Sequence, residues 1–194
     1  MKSIKLTILL FVLLALVQLT VPAKMIWDSE SVISNGNTYL FKLKPVDPND
    51  PFRGKFMTLQ FEADQFAVDS CEVFGRTNAN VFVKNDSNGV ASIDDISFER
   101  NPEGSDYIKS SVYCDSYGPV NQVKKPSIQV DYPFNRYYMN EDDIKLAERK
   151  VRQLLRDTTK TIYGEVMVKS GRARLLALKS DGVDIVELIR QSEE

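Results

Sequence analysis

Apolar and polar positions follow three different rhythms along this chain. The first stretch hardly alternates at all. Between residues 4 and 26 only Lys5, Gln18 and Lys24 are strongly polar. Roughly 20 apolar residues span a bilayer as a helix, so the pattern predicts an N-terminal transmembrane helix over 1–27. Lys24 can extend its ammonium to the headgroups, and Trp27 is placed as an interfacial anchor. The second rhythm has period two. Residues 38–44, 55–62, 80–84, 90–98, 107–114, 127–132, 162–169 and 172–179 read as strands, and 183–189 as a last short one. Turn signals punctuate them at Asn35-Gly36-Asn37, Asp86-Ser87-Asn88-Gly89 and Asn101-Pro102-Glu103-Gly104, with a two-residue hairpin at Ser170-Gly171. The third rhythm is helical and covers 141–158. Ile144, Ala147, Val151, Leu154 and Leu155 form its apolar stripe, Asn140 is its N-cap, and Glu141, Asp142 and Asp143 suit the positive end of the helix dipole. The fold class is therefore mainly β (α+β): a transmembrane helix, then an antiparallel β-sandwich or barrel-like domain with one packed α-helix.

Composition narrows this picture. The chain has 194 residues, 43% of them hydrophobic and 27% charged, with a net charge of −2. About 170 residues remain after the leader, an ordinary size for one core, so 28–194 is read as a single extracytoplasmic domain. A chain without a basic field is not expected to bind nucleic acid. Histidine is absent, which excludes Ser-His-Asp triads, Cys-His dyads and histidine-based zinc sites. No cofactor or metal is expected. The leader has a rival reading as a cleaved signal peptide, with Val21-Pro22-Ala23 as the processing site. Both readings export the domain. With a retained anchor, Lys2 and Lys5 keep the N-terminus cytoplasmic and the chain is a single-pass protein of the inner membrane with its C-terminal domain periplasmic or extracellular.

Candidate chemistry is sparse. Cys71 and Cys114 either close a disulfide across about 44 residues, worth a few kcal/mol in the chain-entropy model, or remain buried thiols. Asp47 and Asp50 sit in Asp-Pro turns, Asp142 and Asp143 open the helix, and Asp94 and Asp95 adjoin in a strand. Paired acids can do general acid–base work or bind Ca²⁺, but the first two pairs have a structural use before a catalytic one. Tyr132, Phe134, Tyr137 and Tyr138 cluster before the helix, as core packing with hydroxyls at its rim or as a ligand groove. The basic residues of the helix make a solvated face, or one that meets anionic lipid.

One stretch organises the rest. Pro45-Val46-Asp47-Pro48-Asn49-Asp50-Pro51 is a stiff loop, Arg53-Gly54 closes it, and a strand follows in which Met57, Leu59 and Phe61 oppose Phe56, Thr58 and Gln60. The run Gly54-Lys55-Phe56-Met57-Thr58-Leu59-Gln60-Phe61 resembles the signature of the GDYXXLXY family of bacterial membrane-anchored proteins, with Lys55 in place of Asp and Phe56 and Phe61 in place of the tyrosines. Asp47 and Arg53 match its lead-in. Asn135-Arg136-Tyr137-Tyr138, followed by Glu141 and Glu148, is similar to a second family block, and Gly171-Arg172-Ala173 to a third. The resemblance covers nearly all of the chain after the leader and implies no established activity. It marks Asp47, Arg53, Gly54, Phe56, Leu59, Phe61, Arg136, Tyr137 and Tyr138 as motif positions. The reading that results is a membrane-anchored interaction or assembly module, with the lipid bilayer and other membrane proteins as partners. A Ser/Lys protease is the alternative. The anchor, Ser29, Ser31 or Ser34, and Lys109 resemble the order of groups in type I signal peptidases, although the Ser-Met-x-Pro context is absent. An envelope ligand-binding domain is the third reading.

Overall fold

The computed structural model describes residues 2–44, 56–71, 75–99, 106–115, 126–157 and 160–190, and the chain divides into two compact units, Met1–Gly36 and Asn37–Glu194. The first is one helix, α1 (Lys2–Asn35). It is long and apolar enough to cross a membrane. The stretch 4–26 alone measures about 34 Å at the helical rise, against a hydrocarbon thickness of about 30 Å. The helix does not end at Trp27. Asp28, Ser29, Glu30 and Ser31 continue it, and the Asn35-Gly36 signal marks its close, where the Gly36 N–H donates to the Val32 carbonyl at 2.9 Å. Val21-Pro22-Ala23 lies within the helix.

The second unit is antiparallel β-structure. Its strands are β1 (Asn37–Lys42), β2 (Phe56–Thr58), β3 (Gln65–Ala67), β4 (Thr77–Asn85), β5 (Ala91–Ser97), β6 (Tyr107–Asp115), β7 (Ser127–Asp131), β8 (Arg136–Tyr138), β9 (Ile162–Lys169), β10 (Arg172–Ser180) and β11 (Val183–Asp184). Two helices accompany them, α2 (Glu141–Arg156) and α3 (Ile185–Arg190). The strands form sheets of order β1-β9-β10-β11 and β3-β7-β6-β4-β5, with β2 and β8 as a separate ribbon. Parallel bridges Leu40↔Val90 and Ile108↔Gly171 join the two larger sheets into a nearly closed, barrel-like sheet. Period-two alternation fills it: in β9, Ile162, Gly164, Val166 and Val168 are buried while the residues between them are not. Phe41, Val81, Ile108, Val112 and Leu178 are fully buried from neighbouring strands.

The turn chemistry explains the hairpins. At the β9–β10 tip both Ser170 (φ 48°) and Gly171 (φ 82°) are left-handed, the requirement of a type I′ turn. At the β4–β5 tip Asp86 Oδ1 accepts the N–H groups of Asn88 and Val90, both at 2.8 Å, an Asx turn that leaves Gly89 at φ 75°.

Two expected strands depart from the sequence pattern. The expected strand over 55–62 is a regular strand only over Phe56–Thr58, with an isolated antiparallel bridge from Phe61 to Leu43, and Glu62–Asp64 forms a 3₁₀ turn. The expected strand over 183–189 is two residues of β11 followed by α3. Asp184 Oδ1 accepts the Val186 N–H at 2.8 Å and opens the helix, and the buried pair Ile185 and Ile189, four apart, fits a helix turn as well as strand parity. The domain therefore packs a second, six-residue helix besides α2. Asn140 occupies the N-cap of α2 with extended backbone but forms no side-chain cap bond. Along α2, Ile144, Ala147 and Val151 are buried, Leu154 and Leu155 half-buried, and Arg149, Arg152 and Arg156 exposed.

Candidate functional site: the motif ribbon

The first two motif blocks, far apart in sequence, meet in the ribbon. Phe56 pairs with Tyr138, Met57 with Tyr137 and Thr58 with Arg136. The Leu59 N–H extends the pairing to the Asn135 carbonyl at 2.8 Å. The alternation sorts the residues cleanly. Met57, Leu59 and Phe61 are buried. On the other side Phe56 is half-buried and Arg136 exposed, while Tyr138 is 65% exposed. The Arg136 guanidinium lies 4.9 Å above the Phe56 ring centroid, and the Phe56 and Tyr138 rings are 5.6 Å apart. Tyr137, half-buried between these groups and the core, has its hydroxyl pKa raised, first by burial and then by the Asp184 carboxylate. Asp47, Arg53 and Gly54 lie outside the described residues.

The inner side of the motif is anchored by rings and ion pairs. Phe61 meets Phe41 at 5.6 Å and Phe134 at 5.4 Å, and Tyr132 stacks on Phe134 at 5.0 Å. The Tyr132 hydroxyl is buried rather than at the rim, and donates to the Ala63 carbonyl at 2.6 Å. Burial, with the Asp64 charge second, pushes its pKa well above the ordinary phenol range. The buried Asp64 carboxylate pairs with Lys44 Nζ at 2.7 Å, and the Lys44 N–H donates to the Gln60 carbonyl at 3.0 Å. The segment leaving β2 is thereby pinned to the end of β1. This placement divides the aromatic quartet: Tyr132 and Phe134 are core, Tyr137 is intermediate, and Tyr138 is surface.

The third block sits elsewhere. The hairpin tip docks on β6, with the Gly171 N–H donating to the Tyr107 carbonyl at 3.1 Å and the Lys109 N–H to the Gly171 carbonyl at 3.0 Å. A Cβ at Gly171 would stand 2.7 Å from Tyr107 Cε2 and 3.1 Å from Lys109 Cγ. Lys109 itself is exposed, its stem lying along this tip. The desolvated surroundings a lysine base requires are not those of this side chain. Ser29, Ser31 and Ser34 belong to α1.

Cys71 and Cys114 are joined by a disulfide with Cα atoms 6.0 Å apart; Cys114 stands in β6, opposite Ile128 of β7. Asp94 pairs with Lys84 at 2.6 Å, and Asp95 Oδ1 accepts the Ile96 N–H at 2.8 Å. Asp50 and the side chains of Asp142 and Asp143 lie outside the described residues. Among the described residues no group of three His, Cys, Asp or Glu could hold a metal. Two polar clusters carried no sequence signal, because their members are far apart in the chain. Asp106 Oδ2 accepts Asn37 Nδ2 at 2.6 Å and the Tyr39 hydroxyl at 3.1 Å. The Arg76 guanidinium lies 5.2 Å above the Tyr113 ring and pairs with Asp131 at 2.7 Å.

The family model described as GDYXXLXY protein matches residues 18–178, from within α1 to within β10. Comparison with curated proteins and with solved structures brings no match.

Proposed function

This chain belongs to the GDYXXLXY family, and on that footing we propose that it is a single-pass protein of the inner membrane whose β-domain lies outside the cytoplasm and serves as an interaction or assembly module for other membrane proteins. The observation that carries the reading is the junction. α1 ends at Asn35 and β1 begins at Asn37, so the helix that carries the apolar run leads into the domain through one glycine. A domain tethered to a membrane-spanning helix meets membrane-embedded partners at high effective concentration, and weak contacts then suffice. Lys2 and Lys5 before the apolar run, with Asp28 and Glu30 after it, support an inside N-terminus. The Cys71–Cys114 bond supports an oxidising compartment. Phe98 and Leu176, 52% and 40% exposed, are contact points on the domain surface; Leu176 is turned out by a bulge between Leu175 and Ala177.

The test is photo-crosslinking of the full chain in native membranes, with the probe at Phe98 or Leu176 and a control probe at the exposed turn residue Asn88. A discrete protein adduct from Phe98 or Leu176, absent from Asn88, is the expected result. Identical adduct patterns from all three positions would count against an assembly surface. A reporter fused after Glu194 should be active only outside the cytoplasm.

A further inference from the structure

The β2–β8 ribbon has an open edge. Among the described residues no strand pairs with β8 on the side away from β2. The phase of the ladder decides which groups that edge carries. The Leu59 N–H bonds to the Asn135 carbonyl at 2.8 Å, and antiparallel bonds recur at every second residue. Met57 and Tyr137 are therefore the next bonded pair, and the N–H and C=O groups of Arg136 and Tyr138 point away from β2. The side chains of these two residues share the outer face. Tyr138 is the most exposed large hydrophobic among the described residues of the domain, above Phe98 and Leu176. Arg136 lies over the Phe56 ring, and among the described residues no carboxylate pairs with it. Arg76 over Tyr113, by contrast, is closed by the Asp131 carboxylate at 2.7 Å. Stacking holds the plane of a guanidinium and leaves its N–H edge to a carboxylate. The edge at β5 is built differently. It carries Asp94 and Asp95 and a bulge opposite Phe82 and Val83, devices that discourage pairing.

We propose that the open edge of β8 takes an extended segment of a partner protein as an added strand, and that this segment sets an Asp or Glu side chain against Arg136 and, two residues away, an apolar side chain against Tyr138. Main-chain bonds to Arg136 and Tyr138 supply affinity, and the alternate side chains supply selectivity. Charge decides the occupant. Antiparallel pairing of β8 with a second copy would set Arg136 of each chain opposite the other's Tyr138. Two guanidinium groups would then share one face with no carboxylate between them, and like charge on an edge opposes such pairing. The arginine that repels a copy attracts an acidic strand. The first two motif blocks then have one joint product: Met57, Leu59 and Phe61 fix the ribbon to the core, and β8 offers its edge. The inference rests on the domain being an interaction module and names the chemistry of one partner segment.

The test selects binders of the full chain, held in detergent, from a displayed library of random ten-residue peptides. Enriched peptides should carry Asp or Glu at one fixed position. The best of them should lose affinity about fivefold on Arg136→Ala, the upper end for a cross-strand charge pair. Selection on Arg136→Glu should instead enrich Lys or Arg at that position, a reversal that a misfolded variant could not produce. Methyl groups on the peptide nitrogens separate the two edges of the bound strand. Methylating one alternate set should abolish binding, and methylating the other should spare it. Absence of an acidic preference, a preference that Arg136→Glu leaves unreversed, or equal effects of the two methylation sets overturns the proposal. A concentration-dependent dimer of the full chain that competes with the peptide would assign the edge to a second copy and overturn it too. Peptide selection as expected, with no specific adduct at Phe98 or Leu176, would support the edge while refuting the assembly surface at those two residues. Specific adducts there, with no acidic preference in the selection, would refute the edge alone.

Discussion

Replacing Gly171 by alanine should destabilise the domain more than the same change at Gly89, although both glycines sit at the tip of a hairpin, with φ of 82° and 75°. Backbone conformation is the shared term: an L-residue in the left-handed region costs about 1–2 kcal/mol. Surroundings are not shared. A Cβ at Gly89 meets nothing within 4 Å, while at Gly171 it falls 2.7 Å from Tyr107 Cε2 and 3.1 Å from Lys109 Cγ and Cε. The lysine stem can give way. The Tyr107 ring is held by Phe82, with centroids 5.8 Å apart, so relief requires shifting that pair or lifting the tip from β6 at the expense of two backbone hydrogen bonds. Overpacking of this kind costs about 1–3 kcal/mol. The sum is about 2–5 kcal/mol at Gly171 against about 1–2 at Gly89, and at about 2–4 °C per kcal/mol for a domain of this size the two melts should be well separated. Thermal unfolding of the full chain in detergent, followed by the β-sheet circular dichroism, measures both. Equal shifts for the two variants would refute the argument that the third motif block exists to dock the hairpin on β6.

Other consequences are measurable. Reduction of Cys71–Cys114, separated by 43 positions, should cost about 4 kcal/mol in the chain-entropy model and lower the melting temperature; an unchanged melt after complete reduction would contradict this. The Tyr39 hydroxyl has its pKa raised to about 12, first by burial, then by the Asp106 charge and the hydrogen bond to it. Because the folded value exceeds the unfolded one, this contribution is intact below about pH 10 and is lost as pH rises towards 12. Ultraviolet titration should therefore show a late tyrosinate component that Tyr39→Phe removes. Lys44→Met should destabilise by about 1–3 kcal/mol, since it strands the buried Asp64 carboxylate, whereas Lys42→Met, whose partner Glu62 is exposed, should be near neutral; paired denaturant titrations decide between them.

What was legible in the sequence was whatever depends on neighbours in the chain. The β9–β10 hairpin follows from Ser170-Gly171 and strict alternation on either side, and the stripe of α2 follows from its own spacing. The apolar run of α1 was equally plain, but its end was not, because Asp28 to Asn35 is polar and a polar stretch can be helix or linker until its hydrogen bonds are known. The short helix α3 has no distinct signal in the sequence, because Ile185 and Ile189 satisfy periods of two and four alike, and the Asp184 side chain, by capping the Val186 N–H, favours the helix. The ribbon was half visible. Opposite parity for Phe56 and Phe61 was readable, but that Phe56 would face Tyr138 was not, because β2 and β8 are three residues each and their register depends on the turn that places Asn135 opposite Leu59.

The division within the motif bears on what kind of site the protein can have. Several polar groups of the β-domain already have partners: Asp64 pairs with Lys44, Asp131 with Arg76, and the Tyr132 hydroxyl donates to the Ala63 carbonyl. Asp64 and Tyr132 are buried, so recruiting either for proton transfer would cost the fold about 1–3 kcal/mol per broken contact, whereas the solvent-exposed Arg76–Asp131 pair contributes only about 0–1 kcal/mol. Arg136 is differently placed. Its aromatic support is internal to the ribbon, and among the described residues no ion pair holds it. A contact between Arg136 and an external anion would leave these pairings undisturbed.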